Sequence, residues 1–209
     1  LENHLAIDLI TTAKLGQAQA NRCAGVYVLN NETGRVSTFS APTVALATGG
    51  CGKVYLYTSN PDIATGDGVA MAYRAGATVA NMEFIQFHPT GMVWPPSVRG
   101  ILVTEGVRGE GGILTNSEGK RFMFDDIPEL YKGSTADSPE EGWRYVTGDK
   151  EARRPPELLT RDHVARCILK EVSEGRGSPH GGAFLDIAWI KEKMSDAAGH
   201  IRRKLPSMY

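Results

Sequence analysis

Three short extended runs, rich in apolar residues, occupy much of the first forty residues. They predict β-strands at residues 5–11, 25–30 and 36–39. Residues 31–34 join the last two runs with the sequence Asn-Glu-Thr-Gly, and the glycine can adopt the positive φ that a tight turn requires. The pattern therefore predicts a β-hairpin in this part of the chain.

An apolar run at residues 43–47 predicts a further short strand, which stops in the sequence Thr-Gly-Gly-Cys-Gly at residues 48–52. The small side chains there allow a ligand to approach the main chain closely. The stretch matches neither the dinucleotide fingerprint nor a P-loop, because Lys53 is followed by Val54 rather than by Ser or Thr. A tight turn is therefore the alternative to a cofactor contact.

Apolar residues then recur at helical spacing. They predict a helix over residues 63–76, with Asp67 in its first half and Gly76 at its end. A second extended segment, residues 78–87, is predicted to lead into a His-Pro-Thr loop at residues 88–90.

Polar residues dominate the chain between residues 125 and 157, where Asp, Glu, Gly and Pro accumulate. This composition predicts an exposed insertion with little regular structure of its own. Thr160 is a suitable N-cap for a following helix that ends at Gly175. The last predicted elements are a buried strand at residues 183–187 and an amphipathic helix at residues 190–203.

The composition is that of a globular protein of 209 residues, 41% hydrophobic and 22% charged. Its 23 Lys and Arg residues nearly balance 24 Asp and Glu residues, which argues against binding to nucleic acid or to an anionic membrane. The three scattered cysteines fit a reducing compartment and predict neither a disulfide framework nor a zinc site. No apolar run approaches the roughly 20 residues of a membrane span.

Neither end of the sequence resembles a chain terminus. The first residue is Leu rather than Met and lies beside a predicted strand, and the last residues show no evident terminal cap. The sequence is therefore interpreted as an internal piece of a longer polypeptide.

Two polar motifs carry most of the candidate chemistry. Residues 86–90 read Gln-Phe-His-Pro-Thr, and residues 104–112 read Thr-Glu-Gly-Val-Arg-Gly-Glu-Gly-Gly. Together they place an imidazole, hydroxyls, a guanidinium and carboxylates on backbone that the glycines make adaptable. This set of groups suits a small dicarboxylate beside a redox cofactor, and it predicts a substrate site.

Five motifs in this order resemble the flavoprotein subunit of succinate dehydrogenase or fumarate reductase. They are residues 47–50, residues 65–68 with Ala75-Gly76, residues 83–90, residues 104–112 and the Arg-Asp-His-Val-Ala-Arg stretch at residues 161–166. L-aspartate oxidases share most of them.

The resemblance implies a fold of the α+β or α/β class. Residues 1–80 would form the later part of a Rossmann-like FAD-binding domain, and residues 81–209 an α+β capping domain with an inserted loop at about 124–157. The family's fingerprint glycines, its covalent flavin-linking histidine and a later substrate-binding His and Arg would lie outside this sequence.

The resemblance also assigns roles around the substrate. Arg161 would be catalytic and would deliver a proton to fumarate while the flavin delivers hydride. His88, Thr104 and Glu105 would bind the substrate, with Glu105 paired to Arg108 or another guanidinium because a bare carboxylate would repel a dianion. The alternatives are that His88 is a loop histidine that caps neighbouring backbone and that Arg161 is a surface arginine beside Asp162.

For the cofactor, the resemblance places Thr48, Gly49 and Gly50 near FAD and gives Asp67 a polar contact with it. Asp67 could equally stabilise its helix. No residue is assigned to a metal. Arg108 and Glu110 are interpreted as a structural ion pair that braces the glycine-rich loop.

The implied function is interconversion of succinate and fumarate by hydride transfer to or from FAD with an arginine proton relay. The implied partners are membrane-anchor subunits together with an iron-sulfur subunit, which would hold a cytoplasmic flavoprotein at the inner face of the cell membrane. The isolated piece is expected to be inactive.

Two alternatives stay open. One is an L-aspartate oxidase-like flavoenzyme, although the insertion and the Thr90-Gly91 pair favour the succinate or fumarate interpretation. The other is a noncatalytic capping module that assembles with an iron-sulfur subunit.

Overall fold

The computed structural model describes residues 1–206 and contains helices and strands in two compact units. The first unit is Leu1–Phe84, and the second begins at Ile85. The domain boundary that the family resemblance implies, between residues 80 and 81, is four residues earlier than this division.

The first unit is built on a three-stranded antiparallel sheet whose strands lie side by side in their order along the chain. Its strands are β1 (His4–Thr11), β2 (Cys23–Asn30) and β3 (Val36–Ser40), so all three predicted strands are confirmed. The hairpin is also confirmed, since Gly34 has φ of 68° and donates its backbone N–H to the Asn30 carbonyl.

Helix α1 (Asp67–Arg74) packs on β1. Met71 is buried, and Arg74 donates through Nη2 to the Ile7 carbonyl at 2.9 Å. The helix begins four residues later than the sequence predicts, because Gly66 has φ of 84° and cannot be part of a right-handed helix.

Two predicted extended segments, the second of which runs from the first unit into the second, are not strands. Residues 43–47 and 78–87 carry no ladder pairing in the described structure, and most of their side chains are exposed. A strand is stable only with a neighbour that takes its backbone hydrogen bonds. An apolar run alone does not supply that neighbour, and these two predictions are wrong.

The second unit has mixed helical and strand content. Its strands β4 (Ile113–Thr115) and β5 (Phe184–Asp186) form an antiparallel pair. Its helices are α2 (Glu105–Gly109), α3 (Glu129–Lys132), α4 (Pro139–Val146), α5 (Arg161–Ser173), α6 (Ile190–Lys193) and α7 (Ala197–Lys204).

Two apolar clusters form the core of the second unit. One consists of Leu114, Phe122, Met123, Leu159, Val164 and Cys167. The other consists of Val103, Val107, Ile190, Ile201 and Leu205. The first cluster holds the apolar face of α5, the helix that the sequence predicts after Thr160. The second lies under α2 and the C-terminal helices.

The polar segment before α5 is more ordered than its composition predicts. It contains α3 and α4, and Ser138 caps α4 by accepting the Glu141 N–H at 3.3 Å. Arg153 binds both carboxylate oxygens of Glu141 at 2.8 and 2.7 Å, and its hydrogen bonds lower the pKa of Glu141 to about 2. The prediction of little regular structure is wrong, because polar side chains here pair with one another.

The C-terminal elements differ in detail from their predictions. The strand over residues 183–187 is present as β5, but Phe184 is 45% exposed, so it is not buried. The single predicted helix at residues 190–203 is two helices, because Met194 is extended and Asp196 caps α7 by accepting the Gly199 N–H. No helix within residues 1–206 has the length and apolar character to cross a membrane.

A buried ion pair at the end of α5 gives a test of this unit's stability. Arg176 binds Glu171 at 2.8 and 2.7 Å, Asn116 donates to Glu171 at 2.9 Å, and these contacts lower the pKa of Glu171 to about 2. Glu171→Gln is expected to lower the free energy of unfolding by about 2 to 3 kcal/mol at pH 7. All three tryptophans lie in this unit, so their fluorescence in urea reports its unfolding.

Because folding lowers this pKa, the contribution of Glu171 is complete above its ordinary value of 4.5 and is lost as the pH falls towards 2. The difference in free energy of unfolding between the native chain and Glu171→Gln should therefore become smaller as the pH falls over that range. Glu174→Gln is the control, since Glu174 contacts the same arginine but is 43% exposed. Equal losses in the two variants, or a deficit independent of pH, would contradict the assignment.

Candidate functional site

The two polar motifs of the second unit lie side by side. Thr90 is buried and donates through Oγ1 to the Val103 carbonyl at 2.8 Å, and the Val103 N–H donates to the Thr90 carbonyl at 2.8 Å. Val103 directly precedes the N-cap of α2. There Thr104 accepts the Gly106 N–H at 3.3 Å, which uses its hydroxyl for capping. The loop that carries His88 is thus fixed to the start of α2.

His88 is half-buried in this arrangement. Its Nδ1 accepts from the Thr90 N–H at 3.4 Å, which favours the neutral tautomer with the proton on Nε2. Burial lowers the pKa of His88, and the positive charges of Arg161 and Arg108 lower it further. At neutral pH His88 is therefore an uncharged hydrogen-bond donor.

Arg161 is the first residue of α5, as the sequence predicts. Its Nε donates to Glu105 Oε2 at 3.0 Å, and its Nη1 donates to Gln86 Oε1 at 2.8 Å. The side chains of Arg161 and Glu105 are 37% and 44% exposed, so a ligand can reach both. The hydrogen bond from Arg161 lowers the pKa of Glu105, and the Arg108 charge adds to this effect. The predicted pairing of Glu105 with a guanidinium is confirmed.

Arg108 lies behind this pair with no solvent exposure. Its Nη2 is 3.5 Å from Glu105 Oε2, and burial lowers the pKa of its guanidinium. Glu110 is the predicted partner of Arg108. Its carboxylate instead lies 3.4 Å from His200 Nε2 and 3.9 Å from Lys204 Nζ. The predicted ion pair between Arg108 and Glu110 is wrong, because the acidic neighbour of Arg108 is Glu105.

An open cavity of about 670 Å³ adjoins these residues. Its lining includes Gln86, Glu105, Arg154, Arg161 and Asp162. His88 and Thr104 are outside this lining, so the structure groups only part of the predicted substrate set around the cavity.

Arg154 is a lining residue that sequence reasoning missed. Its guanidinium lies 5.9 Å from the centre of the Tyr131 ring, and its buried Nε has no hydrogen-bond partner among the described atoms. The Arg153-Arg154 pair before two prolines is the signal in the sequence. Composition cannot show that Arg153 pairs with Glu141 while Arg154 faces the cavity.

The predicted cofactor residues come together in the first unit. Thr48 packs against the start of α1 so closely that a Cβ on Gly68 would lie 1.9 Å from Thr48 Oγ1. Gly49 has φ of 70°, and neither Gly49 nor Gly50 has any atom within 4 Å of a built Cβ. Exposed main chain beside Asp67, the first residue of α1, fits close approach by a large polar cofactor.

Asp126, His163 and Cys167 are the one group within the described residues whose ligand atoms lie close enough together for a metal ion. His163 Nε2 already contacts the Asp126 carbonyl at 2.7 Å, and burial raises the pKa of Cys167 to about 11. A neutral thiol beside a hydrogen-bonded imidazole accounts for this geometry as packing between α5 and the segment before α3.

A family model described as "FAD binding domain" matches residues 1–209. The chain is 41% identical over 200 residues to a CoM/CoB fumarate reductase polypeptide of Methanothermobacter marburgensis, covering 96% of this chain and 30% of that protein. It is 59% identical over 132 residues to an L-aspartate oxidase of Acinetobacter baylyi, covering 62% of this chain and 24% of that protein.

Among solved structures, the chain resembles a mutant FrdA of E. coli quinol fumarate reductase, with 32% sequence identity and a TM-score of 0.66. This match covers 98% of the present chain and 30% of the FrdA chain. The chain thus spans between about a quarter and a third of the length of these relatives.

The site gives a test of the Arg161 contact. Arg161→Gln is expected to raise the pKa of both Glu105 and His88, because the guanidinium lowers both in the native chain. NMR titration of the Glu105 carboxyl and His88 ring signals measures both shifts.

Arg166→Gln is the matched control, since Arg166 lies on the same helix and pairs with Asp162 at 2.8 Å. It should leave both pKa values unchanged. A Glu105 pKa that does not move in Arg161→Gln would contradict the described contact.

Proposed function

The chain belongs to the FAD binding domain family, and we propose that it forms part of a flavoprotein that interconverts succinate and fumarate. The observation that carries this proposal is the guanidinium of Arg161, fixed by Glu105 and Gln86 at an open cavity in the second unit. A dicarboxylate needs cations and neutral donors together. Arg161 and Arg154 supply the positive charge at the cavity, and His88 is an uncharged donor nearby.

Fumarate becomes succinate by gaining a hydride on one alkene carbon and a proton on the other. When bound, the reduced form of FAD would supply the hydride to fumarate, and the oxidised form would accept it from succinate. We propose that Arg161 supplies the proton and that the Glu105 carboxylate, 3.0 Å from Nε, restores it.

Arginine is a weak acid, with a pKa above about 12. Two features support its use here as a relay. Arg161 lies at the N-terminus of a helix of 13 residues, where the helix dipole disfavours an additional positive charge. The Glu105 carboxylate accepts the Arg161 Nε–H at 3.0 Å and is 44% exposed, so it lies between Arg161 and solvent where a proton could be passed on.

FAD would be held by the first unit. We propose that the main chain at Thr48, Gly49 and Gly50 approaches the cofactor and that Asp67 makes a polar contact with it. The open glycine backbone supports this assignment. In the same proposal, residues 1–80 are part of a Rossmann-like domain and residues 81–209 are a capping domain.

The proposed partners are membrane-anchor subunits together with an iron-sulfur subunit, through which electrons would enter or leave the flavin. The name of the E. coli relative, quinol fumarate reductase, supports an electron route that involves a quinol.

Oxidation of L-aspartate is the second candidate, and the 59% identity to an L-aspartate oxidase favours it. Aspartate carries an ammonium group, which needs an acceptor. Both carboxylates that line the cavity are occupied, since Glu105 binds Arg161 and Asp162 binds Arg166. This charge arrangement favours a dicarboxylate without an amino group.

The cofactor assignment can be tested by adding a single methyl group. Gly50→Ala is expected to weaken FAD binding roughly tenfold, because a Cβ would separate the cofactor from the main chain. Flavin fluorescence during titration of FAD into the protein measures the affinity. Gly133→Ala is the control, because its Cβ also meets no atom within 4 Å in the native chain. Equal affinities of the two variants would argue against the assignment.

The substrate assignment can be tested by titrating fumarate, succinate and L-aspartate separately while following the NMR signals of His88 and Arg161. Fumarate and succinate should shift both sets of signals, and L-aspartate should bind more weakly by roughly tenfold or more. Arg161→Gln should abolish the dicarboxylate response. Arg144→Gln should retain it, because Arg144 pairs with Asp149 and neither residue lines the cavity. Tighter binding of L-aspartate would instead support the second candidate.

A further inference from the structure

A second buried ion pair lies next to the site and has no part in the proposed chemistry. Arg121 binds both oxygens of the Glu157 carboxylate, from Nε at 2.6 Å and from Nη2 at 2.8 Å. The Glu157 side chain has no solvent exposure, and Arg121 is 14% exposed. The Arg121 guanidinium also lies 4.7 Å from the centre of the Phe124 ring, so it is held on two sides.

Glu157 connects this pair to the site in two ways. Its backbone carbonyl accepts a hydrogen bond from Arg108 Nη1, the one hydrogen bond that the Arg108 side chain makes within the described residues. Its short helical turn, Pro156–Leu158, leads through Leu159 and Thr160 directly into Arg161. A displacement of this turn would therefore move both Arg108 and the start of α5.

The result is a row of alternating charges: Arg121, Glu157, Arg108, Glu105 and Arg161. The first three side chains of the row are buried, with 14% exposure at Arg121 and none at Glu157 and Arg108, whereas Glu105 and Arg161 are each more than a third exposed. A half-exposed ion pair in water contributes about 0 to 1 kcal/mol and does not by itself fix geometry. The buried end of the row supplies the constraint that the exposed end lacks.

We propose that Arg121 and Glu157 are positioning residues, whose buried ion pair fixes the turn before α5 and, through Arg108, holds the Glu105–Arg161 pair in its binding geometry. This inference rests on the proposed function for its importance to dicarboxylate binding. Its structural content, the control of Arg161 from Glu157, can be tested without substrate or flavin.

The alternative is that Arg121–Glu157 stabilises the unit and nothing more. The Glu171–Arg176 pair offers a matched comparison, because it is also bidentate and its carboxylate is also buried. No hydrogen bond joins it to α2 or to Arg161 in the described part of the chain. A variant of Glu171 should cost stability without disturbing the site.

The experiment compares Glu157→Gln with Glu171→Gln by NMR of the arginine Nε–H groups. The Arg161 signal is assigned by its loss in Arg161→Lys. In the native chain Glu105 protects this proton from exchange with water. In Glu157→Gln we expect its exchange to be roughly tenfold faster, and in Glu171→Gln unchanged within about twofold. Arg121→Lys, which keeps the charge but loses the bidentate geometry, should give an intermediate rate and serves if Glu157→Gln does not fold.

Faster exchange in both Glu157→Gln and Glu171→Gln, or in neither, would overturn the proposal. Fumarate affinity is measured on the same samples. It should fall by roughly fivefold or more in Glu157→Gln and stay within about twofold in Glu171→Gln. Absence of fumarate binding by the native chain would count against the proposed function and would leave the exchange comparison valid.

Discussion

The buried guanidinium of Arg108 is the constraint around which the second unit is arranged. A cation without solvent exposure is costly unless its partners are close and well oriented. Here the partners are the Glu105 carboxylate at 3.5 Å and the Glu157 carbonyl, which lie on opposite sides of it in sequence. These two contacts of Arg108 hold α2 and the turn before α5 together, and Arg161, which follows that turn, lies beside Glu105.

The glycine-rich sequence around Arg108 makes this burial possible. A Cβ on Gly112 would lie 2.8 Å from the Val107 carbonyl, and a Cβ on Gly111 would lie 3.0 Å from Trp143. The chain therefore turns back against α2 with no room for side chains. The same motif that suggests loose backbone in the sequence is tightly packed in the fold. The site thus has a rigid interior behind two reachable side chains.

Local patterns in the sequence sufficed for the three strands, the hairpin and α5, because each depends on neighbours close in the chain or on one apolar face. These local patterns could not predict contacts between residues that lie far apart in the sequence. The short helix α2 depends on contacts such as that between Arg108 and Glu157, 49 residues apart. The ordered segment before α5 depends on contacts such as that between Arg153 and Glu141, 12 residues apart. For the site, the sequence required a cation beside Glu105, yet Arg161 lies 56 residues away. The motif resemblance identified Arg161 as a candidate residue. Only the fold shows that Arg161 contacts Glu105 and that Arg154 lines the cavity.

The geometry also explains why arginine rather than lysine suits position 161. Within the described residues, Arg161 donates through Nε to Glu105 and through Nη1 to Gln86. These two hydrogen bonds fix the plane of the guanidinium and leave Nη2 for a ligand. A lysine ammonium has one nitrogen on a flexible stem and cannot be held in this way while still presenting an oriented donor. A dicarboxylate that binds Nη2 would therefore meet a cation whose direction is set before binding. The ordering of that side chain, which would otherwise oppose binding, has already taken place in the fold.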